Sequence, residues 1–261
     1  MYYYCRFLKF ALIISLVCSL YSAGNASAQE TPLVTDKVKT ILSKVSPKMT
    51  NELANRGFQL GAPIFIRIFK LPGELEVWMK KNGRYHKFKS YPICDYSGYP
   101  GPKIQEGDWQ SPEGFYTVSP GQMNPKSSYH LSFNIGYPNE YDKSMNRSGS
   151  HIMVHGSCSS KGCFAMNDYL MEEIYTLAHA ALVNGQEAFD VHIFPFPLMA
   201  DNLYKYRHSP WITFWKNLRE GFDAFEENYQ VPVITVERGK YVVAPRPVKL
   251  AMSKGDETTR K

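Results

Sequence analysis

The chain is predicted to form one mostly β domain with helical additions, of the α+β class. Three observations predict it. Short apolar runs with strand-like alternation recur from residue 64 onward, separated by Pro-Gly and Asn-Gly turn signals. Helix-compatible pattern is confined to residues 29–56, 168–184 and 201–228. No internal repeat and no clear linker divides the chain, so a length that could hold one large domain or two small ones is read as one. At 44% hydrophobic and 21% charged residues, such a chain can bury a full core without relying on disulfides.

The first segment reads as processing rather than structure. Arg6 and Lys9 precede an apolar run over residues 10–24, and Ala26-Ser27-Ala28 has the small-x-small pattern of a signal-peptidase site. The run is short for a bilayer span. A mature chain starting at Gln29 is therefore expected, exported to the periplasm, with no stable membrane insertion after cleavage. Loss of Arg6 and Lys9 takes the formal charge from +6 to +4. A mildly basic exported protein suits an anionic envelope polymer, and export argues against nucleic acid as a partner.

Residues 29–63 form a helical lead-in, with Ser46 as N-cap, Pro47 at the first helical position and Gly57 as the stop. Residues 64–70, 75–81 and 84–93 read as successive strands, the last two joined by an Asn82-Gly83 hairpin turn. Residues 114–119 follow as a strand after a loop rich in Gly, Pro and Tyr. A polar loop over 120–150 holds a further strand near 130–135. HIMVHG (151–156) alternates, which places His151, Met153 and His155 on one face. Asn167 or Asp168 caps a helix to about Asn184, with Gly185 as its stop. Residues 189–194 are a strand, and 201–228 an aromatic helical region in which Trp211 and Trp215 read as core. VPVITVE and KYVV close the domain as a hairpin. Residues 64–244 thus form the domain, and the polar tail 245–261 is expected to be disordered.

The stretch HIMVHGSCSSKGCFAM carries the chemistry. The mature chain keeps Cys94, Cys158 and Cys163, an odd number that leaves one thiol unpaired in an oxidising compartment. Cys163 follows Gly162 between a strand end and a helix start, where backbone N–H groups could lower a thiol pKa and form an oxyanion hole. A free thiol titrates near ~8.5 and a histidine near ~6.5, so an adjacent pair could exist as thiolate and imidazolium. His155 lies eight residues upstream, and a folded-back loop would supply nucleophile, base and oxyanion donors for acyl transfer. Two other readings use the same residues. His151, His155, Cys158 and Cys163 could ligate zinc, although the spacing is not that of a standard knuckle. Cys158 could pair with Cys163, either structurally or as a reversible oxidised resting form. Cys94, in a Pro-Ile-Cys context, reads as an inert thiol. His151 reads as a packing or hydrogen-bonding residue.

These residues resemble the L,D-transpeptidase catalytic-domain (YkuD-type) family: a strand ending in His155-Gly156, then Ser160-Lys161-Gly162-Cys163. Ser111, Pro112 and Gly114 match the family's upstream strand entry. The short His-to-Cys spacing, CFAMND and VHIFPF resemble its YafK-type branch, over about residues 64–243. The resemblance implies an L,D-transpeptidase-like β-sandwich or barrel and a periplasmic cysteine acyltransferase acting on peptidoglycan stem peptides. Cys163 would form a thioester with loss of D-Ala, His155 would carry the proton, Gly162 and Cys163 N–H groups would hold the oxyanion, and Ser160 would fix the loop. No cofactor is implied. The second half-reaction stays open. Transfer to an amine makes a transpeptidase, whereas transfer to water makes an L,D-endopeptidase or amidase that could release a wall-attached outer-membrane lipoprotein. Lys161, Gly156, Lys103 and Tyr116 are the substrate-contact candidates. Two departures from the family pattern stand out. The usual insert between His-Gly and Ser-x-Gly-Cys is missing, so any lid would come from 120–150. Ala165 occupies a position where many members carry Arg, leaving Lys161 or Lys103 to replace it. A non-catalytic wall-binding module on the same fold is the remaining reading, and it does not need a free thiol.

Overall fold

A computed structural model of the protein describes residues 32–244, so the expected signal segment and polar tail lie outside the described residues. The lead-in is a single helix, α1 (Asp36–Asn55), capped by Thr35, whose hydroxyl accepts the Val38 N–H. Pro47 therefore sits inside a helix, not at the start of one. The stripe Val38, Ile41, Val45, Met49, Leu53 explains the difference. An interior proline costs about 3 kcal/mol, whereas burying five such side chains at about 1.5–3 kcal/mol each outweighs it. Gly57 ends the helix as expected. At φ 70° it lets Phe58 N–H reach Leu53 O and Gly57 N–H reach Ala54 O.

Two five-stranded mixed sheets follow. The first has the order β3 (Arg84–Pro92), β2 (Glu74–Lys81), β1 (Ile64–Phe69), β10 (Phe189–Phe194), β5 (Gly114–Val118). Only β1 and β10 pair in parallel within it, so a long crossover must join them. That crossover contains the second sheet: β4 (Asp95–Tyr96), β9 (Phe164–Ala165), β8 (Met153–His155), β7 (Ser132–Asn134), β6 (Met123–Asn124). It also contains α2 (Glu140–Ser144), within the 120–150 loop, and α3 (Asp168–Val183).

Helix α3 begins at the expected cap and is buried around most of its circumference, which lets it serve both sheets. Glu173 on α3 takes Lys48 of α1 and Lys89 of β3 at 3.1 and 2.7 Å, tying the lead-in to the domain. The aromatic region divides into α4 (Ala200–Lys205) and α5 (Ile212–Asn228). Trp215 is buried in a second cluster with Phe69, Phe194 and Phe222, and Trp211 packs against that cluster. The hairpin β11 (Val233–Glu237) and β12 (Lys240–Ala244) closes the described chain. Among the described residues no helix is long and apolar enough to cross a membrane.

Among the described residues, one ion pair has no exposure on either side chain. Lys70, fully buried after β1, contacts Glu113 at 3.0 Å and donates to Gly101 O and Ser111 O. Glu113 in turn accepts the Gly101 N–H and the Trp215 indole N–H. Burial pulls Lys70 below the usual lysine range, and Glu113 opposes the shift. Cutting one partner leaves an uncompensated buried charge, so Lys70→Met alone should cost about 3–5 kcal/mol in urea unfolding. The double variant Lys70→Met/Glu113→Gln should lose less than the two single variants added together.

Candidate active site

Cys163 immediately precedes β9, and α3 starts five residues later. The nucleophile candidate is therefore placed by a strand, not by a helix N-terminus. Strand β9 pairs in parallel with β8, His155 opposite Ala165. Parallel neighbours normally need a crossover of about a dozen residues or more; here residues 156–163 make the whole crossing. Ser157 and Cys158 turn it in left-handed conformations, φ 66° and 35°. Asp168 Oδ1 accepts the Ser157 N–H, and Met166 O accepts that of Cys158.

The Cys94–Cys158 disulfide pins the same loop, with Cα atoms 5.2 Å apart. This corrects two expectations. Cys94 is not an inert thiol, and Cys158 is paired with Cys94 rather than with Cys163. It also removes Cys158 from the proposed zinc set, while Cys163 remains free.

The register builds the site. Asn124, Ser132, His155, Ala165 and Asp95 form one cross-strand row over five strands. Side chains in such a row share a face. Cys163 lies one step along, opposite Met153, whose N–H reaches its sulfur at 3.3 Å. Strand spacing and rise put the His155 and Cys163 Cα atoms about 8 Å apart, within reach of side chains on one face. Both line a pocket of about 440 Å³, together with Asn124, Lys126, Tyr129, Ser132, His151, Met153 and Lys161. Among the described residues the lining includes no carboxylate.

His155 is almost fully buried, and its Nδ1 lies 2.5 Å from Gly156 O. A carbonyl can only accept, so Nδ1 carries the proton and Nε2 the lone pair. The Tyr129 ring packs against the imidazole at 4.8 Å. Burial lowers the His155 pKa, against the Gly156 carbonyl and Asp95, which both raise it. Burial pushes the Cys163 thiol up, against the Met153 N–H and the charge of Lys103. Both shifts favour the neutral thiol and neutral imidazole over the expected thiolate and imidazolium. The thiol points at His151 O, 3.7 Å away, and among the described residues no hydrogen bond joins it to His155.

The peptide around Cys163 is held by three serine hydroxyls. Ser160 Oγ accepts the Cys163 N–H at 2.9 Å and donates to Cys163 O at 2.8 Å. Ser111 Oγ donates to the same carbonyl at 2.9 Å. Ser97 Oγ accepts the Gly162 N–H at 2.7 Å. Asp95 fixes Ser160 through its N–H. The two N–H groups expected to form an oxyanion hole are therefore already engaged. Ser160 does hold the loop as expected. Gly162, at φ 105°, adopts a conformation other residues resist.

The substrate-contact candidates separate. Lys161 lines the pocket, its ammonium 5.4 Å from the centre of the Trp109 ring. Lys103 does not: it is buried against Asp108 at 2.6 Å and donates to Gln105 O. Tyr116 is buried too, donating to Oδ2 of Asp142, whose Oδ1 pairs with Arg147. Gly156 is set by packing, since a Cβ there would meet Asp168 Oδ1 at 2.6 Å. His151 is exposed at φ 53°, outside the strand, and meets the sulfur through its carbonyl. Loop 120–150 supplies Asn124, Lys126 and Tyr129 to the pocket wall. No sequence signal pointed to Ser97 or Tyr129, because their roles come from tertiary placement alone.

Residues 74–219 match the L,D-transpeptidase catalytic domain family, YkuD. YafK of Escherichia coli (strain K12), named as a candidate L,D-transpeptidase, is 40% identical over 185 residues, covering 71% of this chain and 75% of that protein. Its counterpart in Escherichia coli O157:H7 gives the same figures. Among solved structures, the helical cell shape determining protein Pgp2 from Campylobacter jejuni aligns with TM-score 0.41 and 17% identity, over 77% of this chain and 80% of that one. Bd1075 of Bdellovibrio bacteriovorus aligns with TM-score 0.37 and 19% identity, over 67% and 77%.

The thiol inventory is directly testable. A chain starting at residue 29 should show one reactive thiol when oxidised and three after reduction, by Ellman titration under denaturing conditions. Cys94→Ala or Cys158→Ala should each cost about 2–5 kcal/mol in unfolding. The double variant should cost no more than either single one.

Proposed function

The chain belongs to the L,D-transpeptidase catalytic domain family, and on that premise we propose that it is a periplasmic cysteine acyltransferase acting on peptidoglycan stem peptides. The observation that carries the reading is a free cysteine, its peptide held on both sides, sharing a pocket with a buried histidine whose tautomer leaves Nε2 as a base.

In this mechanism the Cys163 proton passes to His155 Nε2 and the sulfur attacks the carbonyl of the diaminopimelate residue. The tetrahedral intermediate collapses to a thioester. D-Ala leaves as the amine, taking the proton from His155. An amine acceptor then gives a proton to His155 as it attacks the thioester, restoring the thiol. Because Gly162 and Cys163 N–H groups are engaged, stabilisation of the developing negative charge is assigned to the ammonium groups of Lys126 and Lys161, which line the pocket. The same cations, in a lining without acids, suit a donor peptide rich in carboxylates.

Release of D-Ala from purified tetrapeptide muropeptides tests the reading. Cys163→Ala should abolish it, and His155→Ala should slow it by about 10²–10⁴-fold. The rate should hold from neutral pH and fall only at alkaline pH, above the usual thiol range, because the shuttled proton is then lost from the Cys163–His155 pair. Its acid limb should lie below the usual histidine range, because His155 stays neutral there. Cross-linked products identify transfer to an amine, and cleavage of cross-links or release of wall-attached protein identifies the hydrolytic alternative. Full D-Ala release by Cys163→Ala would refute the assignment.

A further inference from the structure

One polar group at the site has no place in the chemistry so far. Ser132 lies on β7 directly opposite His155. The flanking bonds, Gly156 N–H to Leu131 O and Ile135 N–H to Ile152 O, set the alternation of the ladder and make Ser132–His155 a non-hydrogen-bonded pair. In such pairs the side chains approach most closely, with Cβ atoms about 5 Å apart. Neighbouring Leu131 and Phe133 lie in the hydrophobic core, whereas Ser132 lines the pocket. Ser132 is 1% exposed, and among the described residues its hydroxyl has no hydrogen-bond partner. An unpaired buried hydroxyl is costly, so its presence against the imidazole calls for an explanation.

We propose that Ser132 is a positioning residue for the Cys163–His155 pair: its hydroxyl, buried beside the ring, turns its oxygen toward the imidazolium that forms when His155 takes the thiol proton. This rests on the proposed acyl-transfer reading. In the resting state Nδ1–H is satisfied by Gly156 O and Nε2 needs no acceptor. After S–H breaks and Nε2–H forms, that N–H faces the sulfur and then the leaving amine, while the ring carries a positive charge in a buried site. The oxygen end of the Ser132 hydroxyl dipole can face that charge from the adjoining strand. No oxidant or further reactant enters the step. The other groups around the imidazole are Cys163 on the β9 side, Asp95 on β4, Tyr129 and Lys126 from the loop before β7, His151 before β8 and Lys161 from the crossing. Of these, Asp95 favours the charged ring, but its carboxylate is held by the Ser160 N–H and lies beyond Ala165 in the row.

Alkylation of Cys163 by iodoacetamide reads the pair without substrate. At neutral pH the reactive species is the thiolate–imidazolium form, and at about pH 10 it is the thiolate beside neutral histidine. Ser132→Ala should slow alkylation about tenfold at neutral pH and leave the rate at high pH unchanged. Ser132→Thr, which keeps a hydroxyl, should restore most of the neutral-pH rate. An unchanged neutral-pH rate in Ser132→Ala would overturn the proposal, as would an equal fall at both pH values, which marks a structural role. A protein that alkylates as expected yet releases no D-Ala from muropeptides would count against the acyl-transfer reading alone.

Discussion

The rest of the site depends on one constraint, the short parallel crossing from β8 to β9. Two adjacent parallel strands joined by residues 156–163 leave no room for a helix. The chain must turn through left-handed residues, and those turns must be held. The Cys94–Cys158 disulfide, Asp168 and Asp95 hold them. In return the crossing fixes the relation between its two ends, and those ends carry His155 and Cys163. The proposed nucleophile and base are thus set by sheet register rather than by a flexible loop.

Support for the crossing comes from deep in the other half of the fold. The buried Lys70–Glu113 pair gathers Gly101, Ser111 and Trp215 around itself. Ser111 carries that rigidity to the Cys163 carbonyl. Burial has an electrostatic consequence as well. It disfavours the charged form of both thiol and imidazole, so charge is most costly at the moment the proton moves between them. A site of this kind gains from groups that stabilise charge at that moment, which gives the pocket's cations and the Ser132 hydroxyl their significance.

Much of this was legible in the sequence. Strands β1, β2, β3, β5 and β10 and the closing hairpin follow from alternation and turn residues, because each is long enough to show a period. The two-residue strands β4, β6 and β9 show none, although two of them border the site. His155 and Cys163 were visible as chemistry-bearing residues at a distinctive spacing. The disulfide was not, since its partners lie 64 positions apart and only the β4–β9 pairing brings them together. Lys103 and Tyr116 looked available for substrate because residue type does not report burial. Ser97 and Ser111 act through hydroxyls on another segment's backbone, a relation that exists only once the second sheet is assembled.

The central claim is that Cys163 carries the acyl group. Intact-protein mass spectrometry on the protein with its Cys94–Cys158 disulfide intact, mixed with a purified tetrapeptide muropeptide and followed by peptide mapping, tests it most directly. The account predicts a mass gain equal to the muropeptide less D-Ala, mapped to the peptide containing Cys163 and lost on treatment with hydroxylamine. Conversion of the muropeptide with no such adduct under rapid quenching, or an adduct mapped to any other residue, would contradict it.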